Sequence, residues 1–223
     1  MIELYDILLV AHVLCFVYWL GGDLGVFYAS GLGISSGISS QARQTARKIW
    51  HWLDQFPRVC QPLTAALGAT MADIQGWLAI GFGGLTVVWT AASIWVFNVL
   101  YLYLKSDHPG NQSLIRKIDY LLQWVVAVTF LFLCFQAFTG LGPIEDRWLA
   151  VKMLIFAGTI FCSFASRITM KPFGPAFKRI VAEGENSEDL LILKRSLYRT
   201  RVPILGIWFL VFLAGAIGVA KPF

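Results

Sequence analysis

The sequence predicts an all-α integral membrane protein, a six-helix transmembrane bundle with an interfacial amphipathic helix on its cytoplasmic side, and three observations carry that prediction. The 223 residues are 57% hydrophobic and only 14% charged, against about 25% charged in an ordinary soluble domain, and the mean hydropathy is +0.67. Six runs are long enough to cross about 30 Å of hydrocarbon at about 1.5 Å per residue. Fifteen of the 18 Lys and Arg residues fall in three alternate connections between those runs.

The spans are expected at about 5–30, 58–76, 78–104, 120–142, 148–167 and 203–220. The second and third are separated only by DIQGW, residues 73–77, where Gly76 permits a turn and Trp77 suits the headgroup level. The opening MIELYD is acidic and lacks the basic start of a secretory signal, so the first segment is expected to stay in the mature protein. No repeat or linker divides residues 1–223, and one transmembrane domain is expected.

Orientation follows from the cations. Arg43, Arg47, Lys48 and Arg58 follow span one; Lys105, Arg116 and Lys117 follow span three; eight more, from Arg167 to Arg201, follow span five. The positive-inside rule then places both termini outside the cytoplasm. The net charge of +5 is explained by this topology and calls for no nucleic-acid partner. Cys15, Cys60, Cys134 and Cys162 lie in apolar runs without a CxxC spacing, and read as reduced packing residues.

Two connections carry helices of their own. Over residues 42–56, Ile49, Trp52, Leu53 and Phe56 share one face and Arg47, His51, Asp54 and Arg58 the other, the pattern of the interfacial helix. Asn186 or Ser187 is placed to cap a second helix, with acids in its first turn, that leads directly into span six. Trp50, Trp77 and Trp148 read as interface anchors, and His51 and His108 as solvated loop residues.

Span one raises the functional question, because Asp23 interrupts an apolar run. At 100° per residue, His12, Trp19 and Asp23 form one stripe, within about 20° of His12 on either side. Gly21 and Gly25 lie opposite, a spacing that invites close approach of another helix, whether of this chain, a second copy or a membrane-complex partner. Span five carries Lys152, Thr159, Ser163 and Ser166 on one stripe, and span four offers Thr129 and Gln136. Depth sorts the ionisable groups into an outer layer of His12, Lys152 and Asp73 and an inner layer of Asp23, Arg58 and Arg167. Asp23 is expected to form a structural ion pair with Arg58 or Arg167, with proton or substrate handling as the other role for an intramembrane acid. His12 is a hydrogen-bonded interior residue, a proton relay or a haem ligand. Lys152 is either a snorkelling anchor or a cation that holds an anionic ligand.

The stretch AHVLCFVYWLGG, residues 11–22, resembles the first helix of the HemJ-type protoporphyrinogen IX oxidases and related copper-resistance D-type membrane proteins, and RWLAVKMLIFAG, residues 147–158, is similar to the Trp-x-x-x-Lys entry into a later helix of that group. The resemblance implies a b-type haem held by His12 as metal ligand, with Lys152 and Trp19 beside the cofactor, and oxidation of a porphyrinogen coupled to an electron acceptor. It also fits a multi-pass protein of the bacterial inner membrane. Those relatives follow the glycine with an arginine and a further histidine, whereas DLGVFYASG has neither. Iron here would be five-coordinate or take Met71, Met153, Lys152 or another subunit as its second axial ligand. A non-catalytic accessory subunit and an ion-coupled transporter are the competing readings. No P-loop, HExxH or nucleophile elbow supports a hydrolase or ATPase.

Overall fold

The computed structural model describes residues 3–105 and 112–222. They form eight helices: α1 (Leu4–Gly33), α2 (Ser40–Leu53), α3 (Gln55–Ile74), α4 (Gly81–Leu104), α5 (Gln112–Phe138), α6 (Arg147–Thr169), α7 (Phe173–Glu183) and α8 (Ser187–Ala220). The six longest close a circuit in chain order, α1 on α3, α3 on α4, then α5, α6 and α8, which returns to α1. Among the described residues, five helical segments are long and apolar enough to cross a bilayer. The 20-residue α3 completes the circuit, but Arg58, Gln61, Thr64, Thr70 and Asp73 make it less apolar. Exposed Val17, Phe82, Phe97, Phe135, Phe209 and Phe212 give the bundle an outer surface suited to lipid, not water.

The two ends differ. At the end that holds the chain termini, the α3–α4 and α5–α6 turns join: Ala79 N–H donates to the Pro143 carbonyl at 3.1 Å, beside an isolated bridge between Leu78 and Ile144. The chain reverses at Gly76, whose φ of +73° is open to glycine at little cost. Asp73 supports the turn by accepting from the Ile80 and Gly81 N–H groups at 3.0 and 2.9 Å. Trp148 is buried here with Met153 and Ile144, so it is a core residue and not an interface anchor.

The opposite, basic end is a helical lobe. Trp50 of α2 packs with Phe173 and Phe177 of α7, Leu193 and Leu197 of α8 and Ala29 of α1. Trp50 is therefore also core: α7, which the sequence reading left as connection, covers it. The helix expected over 42–56 breaks at Asp54, and its inward face is Arg43, Ala46 and Trp50. Ile49 and Trp52 point outward, an apolar row left to the surroundings of the lobe. Asn186 caps α8 by accepting from Asp189 N–H at 2.8 Å, and α8 runs unbroken through Pro203 to Ala220.

Glycine seats the lobe on α1, at Gly25 as expected but at Gly22 in place of Gly21. A Cβ on Gly22 would lie 2.7 Å from Pro57 Cδ, and one on Gly33 would lie 2.6 Å from the Trp50 ring. Gly25 faces Leu53, while nothing lies within 4 Å of a Cβ on Gly21. The close-packed face is therefore Gly22, Gly25, Ala29 and Gly33, occupied by the chain's own α2 and α3. Gly25 is not free for another subunit.

The lobe holds a pH-sensitive contact. Asp189 pairs with Arg179 and accepts from the Asn186 amide at 2.8 Å, and Arg179 and Asn186 together hold its carboxyl below the usual carboxylate range. A depressed folded pKa means the stabilisation is complete above the ordinary Asp value of about 3.9 and is lost as pH falls below it through the folded value. Hydrogen exchange of α7 should therefore rise on acidification below about pH 4, and Asp189→Asn should remove that step. An α7 whose exchange is equally pH-dependent in the variant would disprove the assignment.

Candidate functional site

Four helices bring the candidate residues of the terminal end together. The His12 ring lies against α3 where Gly68 has no side chain: a Cβ there would sit 3.3 Å from His12 Cε1. Its Nδ1 is buried and reaches no hydrogen-bond partner in the protein. Lys152 of α6 lies within electrostatic reach of His12. The ammonium of Lys152 rests on α8, where a Cβ on Gly218 would come within 2.6 Å of Nζ.

Lys221, just past α8, adds a second cation, which the sequence reading did not single out as a site residue. Its Nζ stands 4.0 Å from the centre of the Trp77 ring and 5.6 Å from that of Trp148, while Lys152 Nζ is 5.9 Å from Trp148. The two ammonium groups repel each other. Among the described residues the ion pairs are Arg43–Glu185, Arg58–Asp54, Arg167–Asp119 and Arg179–Asp189, so neither lysine is matched by a carboxylate. Trp19 is different: it is buried among Cys60, Ile207 and Val211, edge-on to Phe156, and serves as core below His12.

In the half nearer the basic end, the expected pairing of Asp23 is not made. Arg58 Nη2 sits 2.5 Å from Asp54 Oδ2, and Arg167 Nη1 sits 2.8 Å from Asp119 Oδ2. Asp23 is half-buried beside Trp208, with Arg58 and Asp54 acting on it through space. Asp119 was missed because the fourth span was expected to begin at 120; α5 in fact begins at Gln112. The signal available was the spacing of Asp119 and Gln123, one helical turn apart. They continue into buried Ala127 and Cys134, whereas Thr129 faces outward.

On the remaining stripe, Thr159 is buried and lies 3.5 Å from Gln61 Nε2 across α3 and α6. Ser166 turns its hydroxyl back to the Ser163 carbonyl at 2.8 Å. His51 lies beside the Tyr103 ring. His108 lies outside the described residues. The four cysteines are unpaired thiols.

The fold and these residues define a class: an all-helical bundle with segments fit to cross a bilayer, carrying a buried imidazole with an unpartnered Nδ1 and two lysines unmatched by carboxylates at one end. No protein family, curated protein or solved structure matches the chain.

A haem can be tested against that chemistry. Among the described residues no three His, Cys, Asp or Glu side chains gather as a metal cage. A single imidazole suits a metal whose equatorial bonds come from a porphyrin. His12 has a free nitrogen for that bond or for its supporting hydrogen bond, and Lys152 and Lys221 are cations of the right sign for propionates. These residues fit the group.

Proposed function

We propose that this chain is a redox protein of the bacterial inner membrane, crossing it six times with both termini outside the cytoplasm, that binds haem b through His12 and serves porphyrinogen- or quinone-linked oxidation. The supporting observation is His12, whose buried Nδ1 makes no hydrogen bond within the protein and whose ring lies beside the Thr64 backbone and within electrostatic reach of Lys152. A buried polar nitrogen without a partner costs about 1–3 kcal/mol, a cost relieved by a ligand. His12 would hold the iron and Lys152 and Lys221 would neutralise propionates, while the Trp77 and Trp148 rings stand beside the lysines. Bound haem supplies one-electron transfer at iron. Met71 and Met153, both buried, are thioether side chains that would be available to the iron as further ligands.

The absorption spectrum of protein purified from haem-replete cells is the direct test. A Soret band is expected in the wild type and is expected to vanish in His12→Ala while the protein still inserts. Lys152→Met should keep the band but retain haem about tenfold more weakly. A wild type without haem, or a His12→Ala variant with an unchanged spectrum, overturns the reading. The carrier reading would then rest on the clustered Asp23, Asp54, Arg58 and Asp119 charges.

Topology has its own test. C-terminal reporter fusions should be active only with a reporter that works outside the cytoplasm. Activity of a cytoplasmic reporter would mean that α3 does not cross.

A further inference from the structure

The half of the bundle nearer the basic end holds a polar group that the haem reading does not use. Asp119 Oδ2 accepts twice, from Gln123 Nε2 at 2.9 Å and from Arg167 Nη1 at 2.8 Å. Its other oxygen, Oδ1, accepts nothing, and neither does Gln123 Oε1. The Gln123 amide cannot turn round to solve this, because its oxygen would then face a carboxylate oxygen. Asn98 of α4 presents a third such atom, the donor Nδ2. It shares the inward face of α4 with Trp95 and Val99, which pack on Ala127, one turn beyond Gln123. Asn98 and Asp119 are six and seven residues from the basic-end termini of α4 and α5, two helices that pack on each other, which gives them similar depth in the bundle. The three residues are 4%, 5% and 1% exposed for Asn98, Asp119 and Gln123, and a bilayer offers no hydrogen bonds from outside.

Charge decides the kind of ligand. Asp119 is already compensated by Arg167 at contact and by Arg58 through space, which disfavours a metal cation, and two unmatched acceptors disfavour an anion. The remaining need is for a neutral group that donates twice and accepts once. We infer that Asp119 Oδ1, Gln123 Oε1 and Asn98 Nδ2 form a binding site for one internal water molecule, which links α4 and α5 in the core of the bundle. Two donated hydrogen bonds and one accepted bond are within the ordinary complement of a buried water. Such a water makes this level of the bundle wet, in contrast to the apolar cluster around Trp19.

Radiolytic hydroxyl labelling of the full chain in lipid nanodiscs tests the site, because water held beside a side chain oxidises it even where bulk solvent does not reach. Trp95, one turn from Asn98, and Trp19, in the apolar cluster, are almost equally buried, at 3% and 4% exposure. Trp95 should label several times faster than Trp19, and Gln123→Leu should bring the two rates together. Equal labelling in the wild type would overturn the inference, whether or not the variant folds. Thallium density at Asp119 Oδ1 in a structure determined with thallium would overturn it as well, by making the site one for a monovalent cation. Ordered water density there would support it.

Discussion

Arg167→Met should lower the stability of the bundle by about 3–5 kcal/mol, the usual cost of stripping one member from a buried pair, and folded yield should fall with it. The magnitude comes from the residue left behind. Asp119 is 5% exposed, and without Arg167 its carboxylate retains, from the protein, one contact hydrogen bond, from Gln123, and the more distant charge of Arg58. Arg58→Met is the internal comparison. Arg58 and Asp54 are neighbours on one helical turn with side chains 44% and 27% exposed; that accessible i,i+4 contact contributes only about 0.3–0.5 kcal/mol, and Arg58 reaches Asp23 and Asp119 only through space, so its removal should cost less than that of Arg167. Replacing Asp119 and Arg167 together with apolar residues should recover much of the loss, since a buried pair can often be exchanged for hydrophobic packing. Denaturation in mixed micelles measures all four proteins. Equal losses for Arg167→Met and Arg58→Met would show that Asp119 finds its compensation elsewhere.

The same pair explains why the partner of Asp23 was not legible. Helix periodicity placed Arg58 and Arg167 at the depth of Asp23, but two closer acids claim them. Asp54 has the advantage of sequence proximity, four residues before Arg58. Asp119 lay one residue outside the expected fourth span, whereas α5 begins eight residues before that span, at Gln112, and that boundary hid the acid that captures Arg167. Periodicity gives the face a residue occupies; competition between acids is decided by three-dimensional distance.

Helix existence was legible because the apolar runs are long. Asn186 as a cap and Gly76 as the reversal were also legible, since each acts through local backbone geometry. The register of close packing was not: Gly21 and Gly22 differ by 100° around α1, and only contact with Pro57 and Trp50 selects the face that begins at Gly22. Burial of Trp50 was hidden for a related reason. It depends on Phe173 and Phe177 of α7, more than 120 residues away in sequence. His12 and Lys152 were singled out by stripe and depth, and Gly68 and Gly218 now supply the physical reason they can approach neighbouring helices so closely. Lys221 was missed because a cation near the end of a chain reads as topology until Trp77 and Trp148 are seen beneath it.

Arg43→Met should also be severe, about 1–3 kcal/mol for each carbonyl it strands, although the sequence offered Arg43 only as one positive charge among fifteen on one side. Its side chain is 1% exposed. Nη1 donates to the Gly33 carbonyl at 2.7 Å, and Nη2 donates to the Ser35 carbonyl at 3.1 Å and to Glu185 at 2.7 Å. The first two acceptors belong to the end of α1 and the turn after it, where carbonyls lack intrahelical donors and the helix dipole is negative. Glu185, in turn, accepts from Gly37 N–H at 3.3 Å, so one guanidinium ties α1, α2 and the α7–α8 turn together. Removing it strands the buried Gly33 carbonyl. Removing the other partner does less harm: Glu185 is 32% exposed, its oxygens can turn to water, and Glu185→Gln should cost only about 1 kcal/mol. Arg43→Lys should not restore the wild type, because a single ammonium cannot span the fork that meets three acceptors. Hydrogen exchange at the end of α1 and in α2 should rise in Arg43→Met and Arg43→Lys and stay near wild type in Glu185→Gln. If Glu185→Gln proved as damaging as Arg43→Met, the ion pair rather than the carbonyl cap would be the tie, and the buried position of Arg43 would need another cause.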